Sequence, residues 1–128
     1  MKSIYGTDVA DTPQRDFLAD VRSGIYSPIC RFFDENDNAQ DISDWQFIVK
    51  IRRRSNDDVV LLECTPENGR LDVDDVNAQV NFNITSQDIE TFLGPGLARY
   101  EIRADIPNRK NPLYAAKGLI DVQTRIAS

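Results

Sequence analysis

Between Trp45 and Arg52 the chain alternates strictly, with Trp45, Phe47, Val49 and Ile51 on one side and Gln46, Ile48, Lys50 and Arg52 on the other. A period of two held this long belongs to a half-buried β-strand, one face on a core and the other in solvent. The stretch also contains the only tryptophan and opens into Arg52-Arg53-Arg54, the densest positive run in the sequence. No other feature limits the possible folds as sharply.

The same alternation recurs along the chain. Phe17, Ala19 and Val21 share one side of Asp16 to Arg22, and Cys30 and Phe32 are expected inward on Ile25 to Phe33. Pro28 has no N–H to give, which places that second strand at an edge or starts it nearby. Val60, Leu62 and Cys64 alternate within Val59 to Thr65, and the polar Ser55 to Asp58 turn makes a hairpin with the preceding strand. Arg70 to Val73 reads as a short strand, and Val80, Phe82 and Ile84 mark the amphipathic strand Ala78 to Ile84. Tyr100, Ile102, Ala104 and Ile106 face inward on Leu97 to Ile106, and Gly118, Ile120, Val122, Thr124 and Ile126 share a face on Tyr114 to Ile126. Gly118 in mid-strand signals a bulge or a close backbone approach.

The period changes once. Thr85 or Ser86 can cap a helix, Asp88 suits its first turn, and Ile89, Phe92 and Leu93 form one apolar face near residues 86–93. Gly94-Pro95-Gly96 stops it. About seven to eight short strands at turn spacings of roughly ten residues, with one short helix, predict an all-β, antiparallel two-sheet β-sandwich. At 128 residues the chain is long enough for one domain with its own core. The division expected is an N-terminal arm or edge extension over 1–15 and a single sandwich over 16–128. Such an arm either frays or docks on a neighbouring subunit.

Composition excludes several chemistries. There is no histidine, so no Ser-His-Asp or Cys-His nucleophile and no imidazole metal ligand. Cys30 and Cys64 sit in apolar strand patterns and are expected to be buried thiols. Their spacing about Trp45 is too short for the cysteine–tryptophan–cysteine signature of antibody domains. A net charge of −6 argues against general binding to nucleic acid or anionic membranes. No apolar run is long enough to span a bilayer, and no apolar segment near the N-terminus marks a secretory signal.

Two acidic turns invite a metal reading. Asp34, Asn36 and Asn38 match the first ligand positions of a calcium loop, but Ala39 stands where that loop needs glycine and Trp45 where it needs glutamate. Asp72, Asp74 and Asp75 crowd into one turn without further convergent ligands. Solvated turns account for both, so no metal and no cofactor is expected. Gly94-Pro95-Gly96 lacks the spacing of a phosphate loop. Nor can a catalytic carboxylate pair be singled out among 21 acidic residues. The chain therefore reads as a non-enzyme. Its candidate interface residues are Lys50, Arg52, Arg53 and Arg54, facing outward or at the strand end, with Tyr5 on the arm. They suit an acidic protein partner, including another copy of this chain.

Taken in order, several short motifs resemble a known group. They are Phe32 to Trp45 with its alternating strand, Val80-Asn81-Phe82-Asn83-Ile84-Thr85-Ser86-Gln87-Asp88-Ile89, Gly94-Pro95-Gly96 with Tyr100-Glu101-Ile102, and Tyr114 to Val122 with Thr124. Their order resembles the small immunoglobulin-like β-sandwich proteins of tailed bacteriophages and prophages, among them the N-terminal domain of the baseplate upper protein. The resemblance covers about residues 16–126. It departs at Ser43-Asp44, where the pattern has a small residue or glycine, and in the N-terminal arm. It implies an immunoglobulin-like fold and a structural virion role in tail, baseplate or neck assembly. It further implies synthesis in the host cytoplasm, oligomerisation and contacts with other virion proteins, and it supplies no catalytic residues. The rival expectation is a carbohydrate or host-surface binding module, which would draw on Tyr5, Tyr26 or Tyr114 outside the core.

Overall fold

The computed structural model describes residues 2–3, 14–54 and 58–123. The alternating segments become strands β1 (Lys2–Ser3), β2 (Phe17–Asp20), β3 (Ile25–Phe33), β4 (Gln46–Arg52) and β5 (Leu62–Cys64). They are followed by β6 (Leu71–Asp74), β7 (Gln79–Ile84), β8 (Gly96–Asp105) and β9 (Leu113–Gln123). Two sheets result, one of order β1-β3-β7-β6 and the other β2-β9-β8-β4-β5. Their inner faces meet through aromatic rings. Phe82 of β7 lies 5.2 Å from Phe17 of β2 and 5.3 Å from Tyr100 of β8, edge to face in both cases. At the other end of the core, Phe32 of β3 stands 6.0 Å from Phe47 of β4.

The facing expected from the alternation holds through most of the core. Phe47, Val49, Ile51, Val80, Phe82 and Ile84 are buried, as are Tyr100, Ile102, Ile120 and Val122. The β4–β5 hairpin pairs Val49 with Cys64 and Ile51 with Leu62. Its second strand starts three residues later than the sequence suggests, and Val59 is exposed. Pro28 falls where β3 has β7 on one side, while β1 reaches only Phe32 and Phe33 on the other. Among the described residues one side of β3 is therefore an open edge at Pro28. A register shift between Pro28 and Cys30 turns both Ile29 and Cys30 inward.

Three expectations need correction. The sandwich is not wholly antiparallel, because β2 pairs parallel with β9, Phe17 opposite Ile120 and Ala19 opposite Val122. Side-chain alternation specifies which face is buried and carries no information on the direction of the neighbouring strand. Among the described residues nine strands form where about seven to eight were expected, Lys2–Ser3 adding one by pairing with β3 of the same chain. Trp45 is the third. The backbone is still turning there, its amide donating to the Ile42 carbonyl at 3.0 Å. The indole is therefore only partly buried, at the rim of the core 5.1 Å from Phe32. Ile42, in what reads as a polar lead-in, is the residue buried from that turn.

The helical segment α1 spans Ser86–Asp88 and continues as a π-turn over Ile89–Leu93. Thr85 caps it reciprocally. Its hydroxyl accepts from the Asp88 amide at 3.1 Å, and the Asp88 carboxylate accepts from the Thr85 amide at 3.3 Å. Arg70 also pairs with Asp88 at 3.2 Å. Burial works to raise the Asp88 pKa, but the hydrogen bonds from Arg70 and Thr85 outweigh it and hold the carboxyl below its usual range. The wider π-turn changes the apolar face. The Gly94 amide reaches back to the Ile89 carbonyl at 2.8 Å, five residues away. That spacing brings Ile89 and Leu93 into line on the core and swings Phe92 outward, where the Arg70 guanidinium lies 5.4 Å from its ring. Gly94, at φ 65°, makes the stop.

Both cysteines are buried and free, Cys30 on β3 and Cys64 on β5. Burial pushes each thiol up from an ordinary 9.0 to about 12. Folded thiols thus stay protonated while unfolded ones ionise, so their stabilising effect is complete below pH 9 and declines as pH rises toward 12. The folded protein at pH 8 should resist a thiol-specific reagent and react fully after denaturation. Fast labelling of either cysteine in the folded state would show that its strand is not packed as described.

Candidate functional site

The outer face of the five-stranded sheet gathers cations from three strands. In register across β4 and β8, Arg52 stands opposite Arg99, Lys50 opposite Glu101 and Ile48 opposite Arg103. Across β8 and β9, Glu101 stands opposite Lys117 and Arg103 opposite Tyr114. The charges thus converge because alternate residues of adjacent strands share a face, although the residues lie far apart in sequence. A concavity of about 230 Å³ opens between Lys50, Arg52, Arg99, Glu101, Lys117 and Gln14. Next to it lies a smaller one bounded by Ile48, Arg103 and Tyr114.

The pairing within this face is uneven. Glu101 lies between Lys50 and Lys117 in one cross-strand row. Arg103 reaches Asp105 at 3.3 Å on its own strand. Arg52 and Arg99 instead face each other directly, and like charges so placed destabilise a sheet unless an anion lies between them. The rest of the chain is correspondingly more acidic than its overall charge of −6.

The candidate interface residues separate accordingly. Lys50 and Arg52 lie on this face, half-buried along their stems. Arg54 is exposed beyond the end of β4. Arg53 does not belong with them. Its guanidinium folds back, donating from Nη1 to the Leu97 carbonyl at 2.7 Å and from Nη2 to the Leu93 carbonyl at 2.5 Å. Leu93 ends the π-turn, where carbonyls lack partners within the helix, so Arg53 secures that end to the start of β8. Arg53→Ala should cost about 2 kcal/mol as charged hydrogen bonds are lost. Arg52→Ala should stay within about 0.5 kcal/mol of wild type. Equal losses in chemical denaturation would contradict this division. Tyr5 lies outside the described residues.

Arg99, Arg103 and Lys117 escaped the sequence reading. Each sits at an outward position of a strand that was recognised, but only the register shows that they adjoin Lys50 and Arg52.

The two acidic turns use their carboxylates locally. Asp34 accepts from the amides of Asn36 and Asn38 at 2.9 and 3.0 Å. Asp74 accepts from the Asn77 side chain at 2.8 Å and from its amide at 3.1 Å, which holds its carboxyl below the usual range. These are turns closed by side-chain oxygens. Among the described residues no group of three acidic or cysteine side chains is placed to hold a metal ion. No helix of the described residues is long and apolar enough to cross a membrane.

The opposite face of the molecule differs in chemistry. On the four-stranded sheet, Tyr26 is 62% exposed opposite Asn83, and Pro28 is opposite Asn81, which adjoins Asp72. Gln79 donates to Asn81 at 2.7 Å, and Asn83 donates to the Gly69 carbonyl at 2.9 Å. This surface is amide-rich and open.

No family model and no curated protein matches the chain.

Proposed function

We propose that the chain is a non-enzymatic structural component of a tailed-phage virion, an immunoglobulin-like sandwich that binds an acidic protein surface through the outer face of its five-stranded sheet. The observation that carries this reading is the Arg52–Arg99 pair, which no ion pair among the described residues neutralises, flanked by Lys50 and Lys117, in a chain of net negative charge. A nucleic-acid site would need stacked aromatics along the groove, and among the described residues Tyr114 is the one exposed aromatic at its margin, Tyr100 being buried.

Strand order supports the immunoglobulin-like part. If β1, β3, β7 and β6 take the letters A, B, E and D, then β9, β8, β4 and β5 take G, F, C and C′. The parallel β2 then lies beside G. Non-catalytic work is supported by the displaced titrations. The two largest belong to thiols buried in the core, where burial keeps each protonated and a poor nucleophile.

Mass spectrometry of purified particles from the host should find the chain in fixed proportion to other virion proteins. Its absence from particles would remove the virion reading.

The second reading is a carbohydrate-binding module on the Tyr26 face. An exposed aromatic beside Asn81, Asn83 and Asp72 offers a ring to stack a sugar on and acceptors for its hydroxyls. The side-chain donors of Asn83 and Gln79 are already engaged, which makes this face the weaker site. A glycan array showing binding abolished by Tyr26→Ala would favour it over the basic face.

A further inference from the structure

Seven of the 21 acidic residues lie at the end of the sandwich where β3 crosses toward β4 and β6 turns into β7. Arg31 pairs with Gln79, and Gln79 with Asp74, so the turns after β3 and β6 emerge side by side. The Phe32 amide joins them by donating to the Ala78 carbonyl at 2.9 Å. The β3–β4 connection carries Asp34, Glu35, Asp37, Asp41 and Asp44, and the β6–β7 turn carries Asp74 and Asp75. Glu35, Asp44 and Asp75 are exposed. Asp41 is held below the usual carboxylate range by hydrogen bonds from the Ser43 hydroxyl and amide.

We propose that the basic sheet face is the docking site for a second copy of this chain, whose acidic turns seat on Lys50, Arg52, Arg99 and Lys117. The inference rests on the assembly reading above and names its partner. Charge complementarity carries it. A carboxylate between Arg52 and Arg99 would relieve their like-charge opposition, and the concavity between these strands can admit carboxylate side chains. One molecule does not place these surfaces together, because its basic site is an outer sheet face and its acidic site is the turn end of the sandwich. Each copy offers both surfaces, so the contact is head-to-tail and propagates into a ring or an open filament. Being electrostatic and solvent-accessible, it weakens with salt.

Sedimentation velocity at low and high salt tests this with two charge-reversed proteins. R52E/R99E reverses the face, and E35K/D44K/D75K reverses the turns. All five positions lie outside the core, so thermal midpoints should stay near wild type. If either protein melts early, the neutral set R52Q/R99Q or E35Q/D44N/D75N replaces it, with loss of self-association as its readout and no mixing step. Each reversed protein alone should lose at least about tenfold in self-association, the size of a close charge-pair effect. An equimolar mixture should regain association, because every reversed face then meets a reversed turn end. Wild type that remains monomeric at low salt, or a mixture that stays as dispersed as its parts, overturns the second-copy proposal. The assembly reading would survive that result if R52E/R99E still failed to enter particles that wild type enters.

Discussion

Gly118→Ala should destabilise the protein by about 3 kcal/mol or more, the upper range for forcing atoms into a packed site. A Cβ there would lie 2.0 Å from the Arg15 carbonyl oxygen and 2.7 Å from its carbonyl carbon. These are backbone atoms, fixed by the junction they form. The Arg15 amide donates to the Lys117 carbonyl at 2.8 Å, and the Leu119 amide donates to Asp16 at 2.9 Å. Tyr100 adds its hydroxyl to the Arg15 carbonyl at 2.5 Å. One methyl group must therefore part β2 from β9 and pull the Phe17 ring away from Phe82 and Tyr100. Urea denaturation would measure the loss. A Gly118→Ala protein as stable as wild type would mean that residues 14–16 do not lie against β9.

Phe82→Ala should cost about 4 kcal/mol, the range for truncating a buried aromatic. Its ring is 1% exposed and touches Phe17 and Tyr100 of the opposite sheet, so removal leaves a void bordered by both layers. Trp45→Ala should cost less, about 2 kcal/mol, because the indole at the rim already shares its surface with water. The order of the two losses is the informative part. A larger loss at Trp45 would place the centre of the core near the β4 entrance.

Burial was legible in the sequence because a strand writes its two faces as alternate residues. The inward sets of β4, β7 and β8 follow directly from that rule. Pairing was less legible. Nothing in Phe17–Asp20 indicates that its neighbour is the last strand or that it runs parallel to it. Gly118 signalled a close approach, yet the atom it makes room for, the Arg15 carbonyl, belongs to a segment read as the last residues of an arm. The bulge that the same glycine suggested lies nearby instead, opposite Ile102 and Arg103, where both Ala115 and Ala116 turn inward. Phe92 was misplaced because the π-turn changes the angular spacing of its face.

The site was half legible. Lys50 and Arg52 stood out as a local cluster, and their outward facing followed from alternation. Arg53 looked equivalent on sequence, and only its reach to the Leu93 and Leu97 carbonyls separates a structural cation from surface ones. Arg99, Arg103 and Lys117 join the face through register, a property of paired strands that no single segment contains.

The central claim is that this chain works by docking its basic sheet face. Reconstitution tests it most directly, using particles made without the chain and supplied with purified wild type, R52E/R99E or Tyr26→Ala protein. Wild type and Tyr26→Ala should incorporate equally, and R52E/R99E should fall at least about tenfold below them. Incorporation of R52E/R99E at the wild-type level, with loss confined to Tyr26→Ala, would contradict the account and move the working surface to the four-stranded sheet.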